Sequence, residues 1–162
     1  FGGGHGAYAG GDALSHGNAP ISTATIPPME ILEAAYPVRF TQWALRTDSG
    51  GRGEFRGGLG AVYEIELLES DAQAFIFGER GKSAPKGIAG GGNGALNVFS
   101  YTQGAVRHTP PMVSKMVGIT LKRGDRVRLE TPGGGGFGHE ENRQNRAHMR
   151  DLDNGYTTQE QS

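Results

Sequence analysis

Arg126-Val127-Arg128-Leu129-Glu130 runs without a break into Thr131-Pro132-Gly133-Gly134-Gly135-Gly136-Phe137-Gly138. The first half alternates apolar and charged residues, the pattern of a half-covered strand. The second half is the most flexible sequence a chain can carry, and ordering it costs more backbone entropy than ordering other residues. A fold tolerates such a run only where φ must be positive, or where the backbone lies too close to something for a Cβ. Shorter blocks recur at Gly2-Gly3-Gly4, Gly50-Gly51, Gly57-Gly58 and Gly90-Gly91-Gly92. They sit between ordinary strand patterns, so the sequence is not a low-complexity linker.

Outward from that run, the remaining strands read by alternation. Ala61, Tyr63, Ile65 and Leu67 face one way, and Glu64 and Glu66 the other. Val38–Arg46 reads as a strand with Val38, Phe40 and Ala44 on one face and Trp43 and Leu45 on the other. Gln73–Phe77, Ala95–Tyr101 and Ala105–His108 are further strands. Pro111–Leu121 places Val113, Lys115, Val117 and Ile119 opposite Met112, Ser114 and Met116, and Lys122–Asp125 turns it into Arg126–Thr131. Pro28–Ala35 is a short helix stopped by Pro37, and Ala147–Asp153 is another, with Gly155 near its end. The expected fold is mainly β with short helices (α+β), a glycine-rich sandwich or barrel-like sheet. One domain is expected, with a glycine-rich loop region over 1–27, a β-rich body over 28–138 and a helical tail over 139–162.

Leu, Ile, Val and Phe supply only 31 of 162 residues, while glycine supplies 29. A hydrophobic content just under about 20% warns of disorder only when net charge is high, and here it is −1. The chain therefore reads as folded but poor in core side chains, with much of its backbone packed against another surface. The balanced charge argues against nucleic acid. No apolar run reaches the length of a membrane helix, and no signal peptide is expected from these residues. The absence of cysteine excludes disulfides, cysteine zinc sites and a thiol nucleophile, and fits a cytoplasmic protein. The chain opens at Phe1 inside a glycine motif. It closes on a capping-box spacing, Thr157 with Glu160, where a helix should begin. Both ends read as cuts through a longer protein.

The familiar chemical motifs fail on inspection. Gly81-Lys82-Ser83 follows a strand, but a phosphate loop needs glycine where Ile76 stands, and Pro85 blocks the helix that would follow. Gly4-His5-Gly6 with Ala9 fits a loose dinucleotide pattern but has no strand before it, and Gly10-Gly11 break any helix after it. His139-Glu140 has Arg143 where a zinc protease has its second histidine. Of the five histidines, His5 is the most exposed by its glycine neighbours, which also offer bare N–H groups. The loop Arg46–Gly60 can bend through its glycines and carries Asp48, Arg52 and Arg56. Arg56 beside Gly57-Gly58 can meet an anion with help from backbone amides. Equally, an Asp48–arginine pair can serve only to hold the loop.

Taken in order, these blocks resemble the C-terminal part of the hydantoinase B family. That family includes B subunits of ATP-dependent hydantoinases, 5-oxoprolinase and subunits of acetone-type carboxylases. The matching pieces begin with Gly2–Ala7, Pro28–Glu33 and Tyr36–Arg39. Leu45–Gly51, Phe55–Gly60, Ser114-Lys115 and Gly124-Asp125 follow. Thr131–Gly138, Asp151-Leu152 and Asn154–Tyr156 complete the series. One departure is Ile26-Pro27-Pro28, where the family has Asn-Thr-Pro. The resemblance implies a subunit of a hetero-oligomer. A partner A-type subunit would bind ATP and Mg2+ and phosphorylate a small-molecule substrate, and the B-type subunit would handle the activated intermediate. A divalent metal would sit in the remainder of the B-type subunit, with no ligands in this segment. The implied activity is hydrolysis of a cyclic amide. A ketone carboxylase and a non-catalytic bracing subunit are the alternatives. His5, Asp48, Arg56, Gly57 and Gly58 are the candidates for meeting substrate or phosphate, and Gly133, Gly134, Gly135 and Gly136 form a structural loop. The catalytic residues themselves are not indicated.

Overall fold

The computed structural model describes residues 1–17, 28–69 and 71–158. Residues 18–27, with the Ile26-Pro27 departure, and Glu160 of the capping-box spacing lie outside the described residues. Helix α1 (Met29–Ala35) starts after Pro28 and ends as Tyr36 turns extended before Pro37, the conformation a residue before proline prefers. Among the described residues, seven strands follow. They are β1 (Val38–Leu45), β2 (Ala61–Leu67), β3 (Ala72–Phe77), β4 (Val98–Gln103), β5 (Val106–His108), β6 (Lys115–Leu121) and β7 (Arg126–Glu130). A 3-10 turn (Glu140–Asn142) and helix α2 (Asn145–Asp153) come last.

Five strands form an antiparallel sheet in the order β1-β2-β7-β4-β5, and β3 pairs with β6 in a separate ribbon. The ribbon covers the apolar face of the sheet. Leu67, Phe99, Ile119 and Leu121 form the buried centre, with Val38, Ile76, Tyr101, Met116, Val127 and Leu129 packed around it. The opposite face of the sheet carries charge. Glu64 lies across from Arg128 and Glu66 across from Arg126, each pair closed by an ion pair. Opposite charges directly across a strand pair favour this register, and like charges there would oppose it. The fold is therefore mainly β and layered like a sandwich, and the sheet does not close into a barrel.

Two bulges redirect side chains. Phe40 pairs with Ile65 and Gln42 with Glu64, so Thr41 is an extra residue. The expectation that Phe40 and Trp43 point to opposite faces is corrected, because the bulge brings their rings to 5.7 Å in a stacked arrangement. In the ribbon, Ala74 pairs with Ile119 and Ile76 with Met116. The additional residue is accommodated at Val117-Gly118, where Gly118 has φ +68°, a conformation open to glycine. Met116 and Ile119 thus share the core side, and Val117 turns outward with Phe75 and Phe77, all exposed. Two strand starts are also corrected. Ala95–Asn97 and Pro111–Ser114 are loop, tied instead by side-chain bonds such as Asn97 Nδ2 to Ser114 Oγ at 2.8 Å.

The four glycines of the opening run form a main-chain hub. None of them has a positive φ. A Cβ on Gly133, Gly134, Gly135 or Gly136 would lie closer than 3.0 Å to the carbonyl of Ser49, His5, Lys86 or Arg52, respectively. Close approach, not unusual φ, is what requires glycine here. Three segments surround the run and bond to it. Gly51 N–H donates to the Gly134 carbonyl at 2.8 Å, Ala7 N–H to Gly135 at 2.9 Å and Ile88 N–H to Gly136 at 3.0 Å. Gly134 N–H and Gly136 N–H donate to Gly58 and Gly92 at 2.9 Å. Residues 3–17, 49–60, 85–95 and 131–138 are thereby packed backbone to backbone, which explains how so few large apolar residues hold the chain together.

Candidate functional site

The loop between β1 and β2 leaves the glycine hub on one side and meets α2 on the other. Between them lies a cleft of about 410 Å³, lined among others by Asp48, Arg52, Arg56, Glu140, Asp151 and Tyr156. Two of the candidate residues, Asp48 and Arg56, therefore share one site. His5 does not line it. Its carbonyl accepts the Gly58 N–H at 2.9 Å, and its ring lies against Gly17.

Asp48 works as a clasp. Its backbone has φ +59°, and its N–H donates to the Tyr156 carbonyl at 3.0 Å. Its carboxylate accepts from Thr157 Oγ1 at 2.7 Å, Thr158 N–H at 3.0 Å and Thr158 Oγ1 at 2.6 Å. Thr47 Oγ1 adds a bond to the Gly155 carbonyl at 2.8 Å. Burial pushes the Asp48 carboxyl up, but the Thr158 and Thr157 bonds and the Arg52 charge outweigh it and hold it below the usual carboxylate range. The segment 155–158 is thus strapped across the cleft. Asp48 ties the loop to residues 155–158 through threonines.

Arg56 forms the floor. Its Nε donates to Asp151 Oδ2 at 3.2 Å and its Nη1 to the Gly57 carbonyl at 2.7 Å. The guanidinium carbon sits 5.2 Å from the Tyr156 ring centroid, a cation–π distance. Gly57 and Gly58 lie too close to Gly134 and Leu14 for a Cβ. Their N–H groups donate to Gly51 and His5 at 2.9 Å. Both amides are already engaged inside the hub.

Beneath the floor lies a buried ion network that the sequence did not disclose. Arg143, 7% exposed, grips Asp12 through Nη1 to Oδ1 at 2.9 Å and Nη2 to Oδ2 at 3.0 Å. It also donates to Asp151 Oδ2 at 2.5 Å and to the Glu54 carbonyl at 3.0 Å. Asp12 accepts the Arg56 N–H at 2.7 Å. Burial raises the Asp12 carboxyl, yet the bonds from Arg143 and Arg56 N–H bring it below its ordinary value. The network fastens the glycine-rich start of the chain, the Arg56 loop and α2 to one another. Arg143 entered the sequence reading only as the residue that breaks a zinc motif. The available hint was Asp12, a lone carboxylate inside a glycine-rich stretch.

Gly81-Lys82-Ser83 lies on a loop after β3, beside a smaller cleft of about 190 Å³, with no helix following it. Among the described residues, no three or more His, Cys, Asp or Glu side chains gather as metal ligands. Among the same residues no helix is long and apolar enough to cross a membrane.

Comparisons with known proteins agree with this architecture. Residues 1–140 match the family model described as hydantoinase B/oxoprolinase. The β subunit of caprolactamase from Pseudomonas jessenii is 38% identical over 113 residues, 68% of this chain and 19% of the relative. The crystal structure of ATP-dependent caprolactamase from the same species superposes with TM-score 0.83 at 30% identity, covering 96% of this chain and 28% of that one. A nucleotide-free structure of an acetone carboxylase, described with ATP-dependent acetone carboxylation, gives TM-score 0.78 at 25% identity over 97% of this chain and 25% of the other. The chain spans between 19% and 28% of these proteins.

Proposed function

The chain belongs to the hydantoinase B/oxoprolinase family, and from that membership we propose that it forms part of the B-type subunit of an ATP-dependent cyclic-amide hydrolase. The observation that carries this reading is the superposition on ATP-dependent caprolactamase over 96% of the chain. In the proposed reaction a partner A-type subunit, holding ATP and Mg2+, transfers the γ-phosphoryl group to the amide oxygen. That turns a poor electrophile into a good one. Water then adds to the activated carbon, the ring C–N bond breaks with the nitrogen taking up a proton, and a second water hydrolyses the acyl phosphate so formed to carboxylate and phosphate. Any divalent metal belongs to the remainder of the B-type subunit. This chain contributes a braced cleft whose strap and floor are set by Asp48 and Arg56. The exposed Phe75, Phe77 and Val117 support a place within a larger assembly, since apolar patches of this kind mark contact surfaces.

The likeness to acetone carboxylase supports a second reading, in which the phosphorylated group is a ketone enol and carbon dioxide is the electrophile. A third is a bracing subunit without a direct role in chemistry, supported by the structural use made of every candidate residue. The purified assembly containing this chain separates them. With ATP and caprolactam or a hydantoin, ADP, phosphate and the ring-opened product should appear in equal amounts. Turnover only with acetone and bicarbonate would replace the first reading by the second. Asp48→Ala or Arg56→Ala should lower turnover while the assembly stays intact. An intact assembly with unchanged turnover, or one that dissociates, would favour bracing.

A further inference from the structure

Strand β3 alternates strictly, with Ala72, Ala74 and Ile76 against the core and Gln73, Phe75 and Phe77 outside. The bulge at Val117-Gly118 leaves Val117 outside as well. Phe75, Phe77 and Val117 are 57%, 77% and 59% exposed. An antiparallel sheet face that meets only water carries polar residues. The main sheet obeys this with Glu64, Glu66, Arg126 and Arg128, and the ribbon does not. Cations gather where the apolar strip ends. Phe77 lies opposite Lys115, and next to it a cleft of about 190 Å³ is lined by Arg80, Lys82, Met112 and Lys115. Glu79 lines the same cleft and is paired with Lys115 at 2.9 Å. We propose that the outer face of the ribbon docks a separately folded subunit of the enzyme. That subunit presents an apolar strip with a carboxylate at one end, and the carboxylate enters the cleft between Arg80 and Lys82.

The distribution of charge selects this occupant. An apolar centre with a charged rim is the anatomy of a contact between separately folded chains, whereas a permanent seam resembles a protein core cut in half. The cations at the rim fix the register of docking and draw an acidic partner in. A second copy stacked on this face supplies no such group, because residues 72–77 and 115–121 contain neither Asp nor Glu. The proposal deepens the reading of the chain as part of a multi-subunit enzyme and rests on it.

The test compares the purified assembly with the subunit containing this chain after separation from its partner. Hydrogen–deuterium exchange should be slower over 72–82 and 113–120 in the assembly. Phe77→Ser should weaken reassociation at least about tenfold, the loss expected of an aromatic anchor at the centre of an interface. Arg80→Glu combined with Lys82→Glu should slow association and remove most of its salt dependence between about 50 and about 500 mM NaCl. This second variant changes only an exposed loop and decides the matter if Phe77→Ser does not fold. Equal exchange in the two states, or unchanged association of either folded variant, overturns the proposal. Protection already present in the separated subunit also overturns it, since the rest of that subunit then covers the face. So does self-association abolished by Phe77→Ser, which makes the occupant a second copy. Binding to phosphatidylserine-containing vesicles that both variants lose while the assembly still forms makes it a membrane, and overturns the proposal too. An assembly that forms through this face but opens no lactam removes the hydrolase reading alone. Lactam turnover with the face unprotected removes this surface alone.

Discussion

Arg143 and Asp12, 131 positions apart, meet through two N–H···O bonds of 2.9 and 3.0 Å. The fork is bidentate, the geometry in which a guanidinium binds a carboxylate most strongly. It closes the chain on itself, joining the start of the glycine-rich region to the turn before α2.

Breaking that contact should be severe. Arg143→Ala leaves buried Asp151 with only Arg56, and partly exposed Asp12 with only Arg150, as cations beside them, which should cost at least about 1–3 kcal/mol, the penalty of under-satisfied buried groups. Arg143→Lys should recover little, because one ammonium cannot span both oxygens of Asp12 and also reach Asp151. Denaturant unfolding of the purified protein measures both. A loss under about 1 kcal/mol for the alanine variant would contradict a network held together by Arg143.

The hub predicts an asymmetry among glycines. Gly134→Ala would drive a methyl group into the His5 carbonyl and the Gly6 nitrogen, neither of which is free to move. A loss of at least about 1–3 kcal/mol is expected, as for overpacked interiors. Gly6→Ala, with open space where the methyl group would go, should change stability by no more than about 0.5 kcal/mol. Thermal unfolding of the two variants side by side checks the contrast.

The strap should respond to acid through Asp48. Its carboxyl pKa lies below the unfolded value of about 3.9, so the ionised form stabilises the fold. That contribution is present above pH about 3.9 and is lost as pH falls through the lower folded value. The Thr158 amide resonance, whose N–H donates to Asp48, should titrate with a midpoint below about 3.9. A midpoint at or above it would mean the clasp does not favour the carboxylate. Asp48→Ala should raise amide exchange across 155–158 at neutral pH.

Strand identity was legible wherever alternation was clean, as in β2 and β7, because period two is a local property of sequence. The bulges at Thr41 and Val117-Gly118 were not, because inserting one residue leaves the local composition looking like a strand while reversing every side chain beyond it. Gly133–Gly136 announced close approach, and the structure supplies what approaches: four carbonyls from three distant segments. Asp48 and Arg56 could be paired in advance since one short loop carries both. Asp12, Arg143 and Asp151 could not, because nothing local links a carboxylate in a glycine stretch to an arginine near the other end.

The glycine hub carries a thermal signature. Unfolding a domain normally raises heat capacity by about 12–15 cal/mol/K per residue, because newly wetted hydrocarbon outweighs newly wetted peptide groups. Here an unusual share of the interior is amide against amide, and hydration of amides works in the opposite direction. Calorimetry should therefore return a smaller increment per residue, and a free-energy curve that bends less between cold and heat.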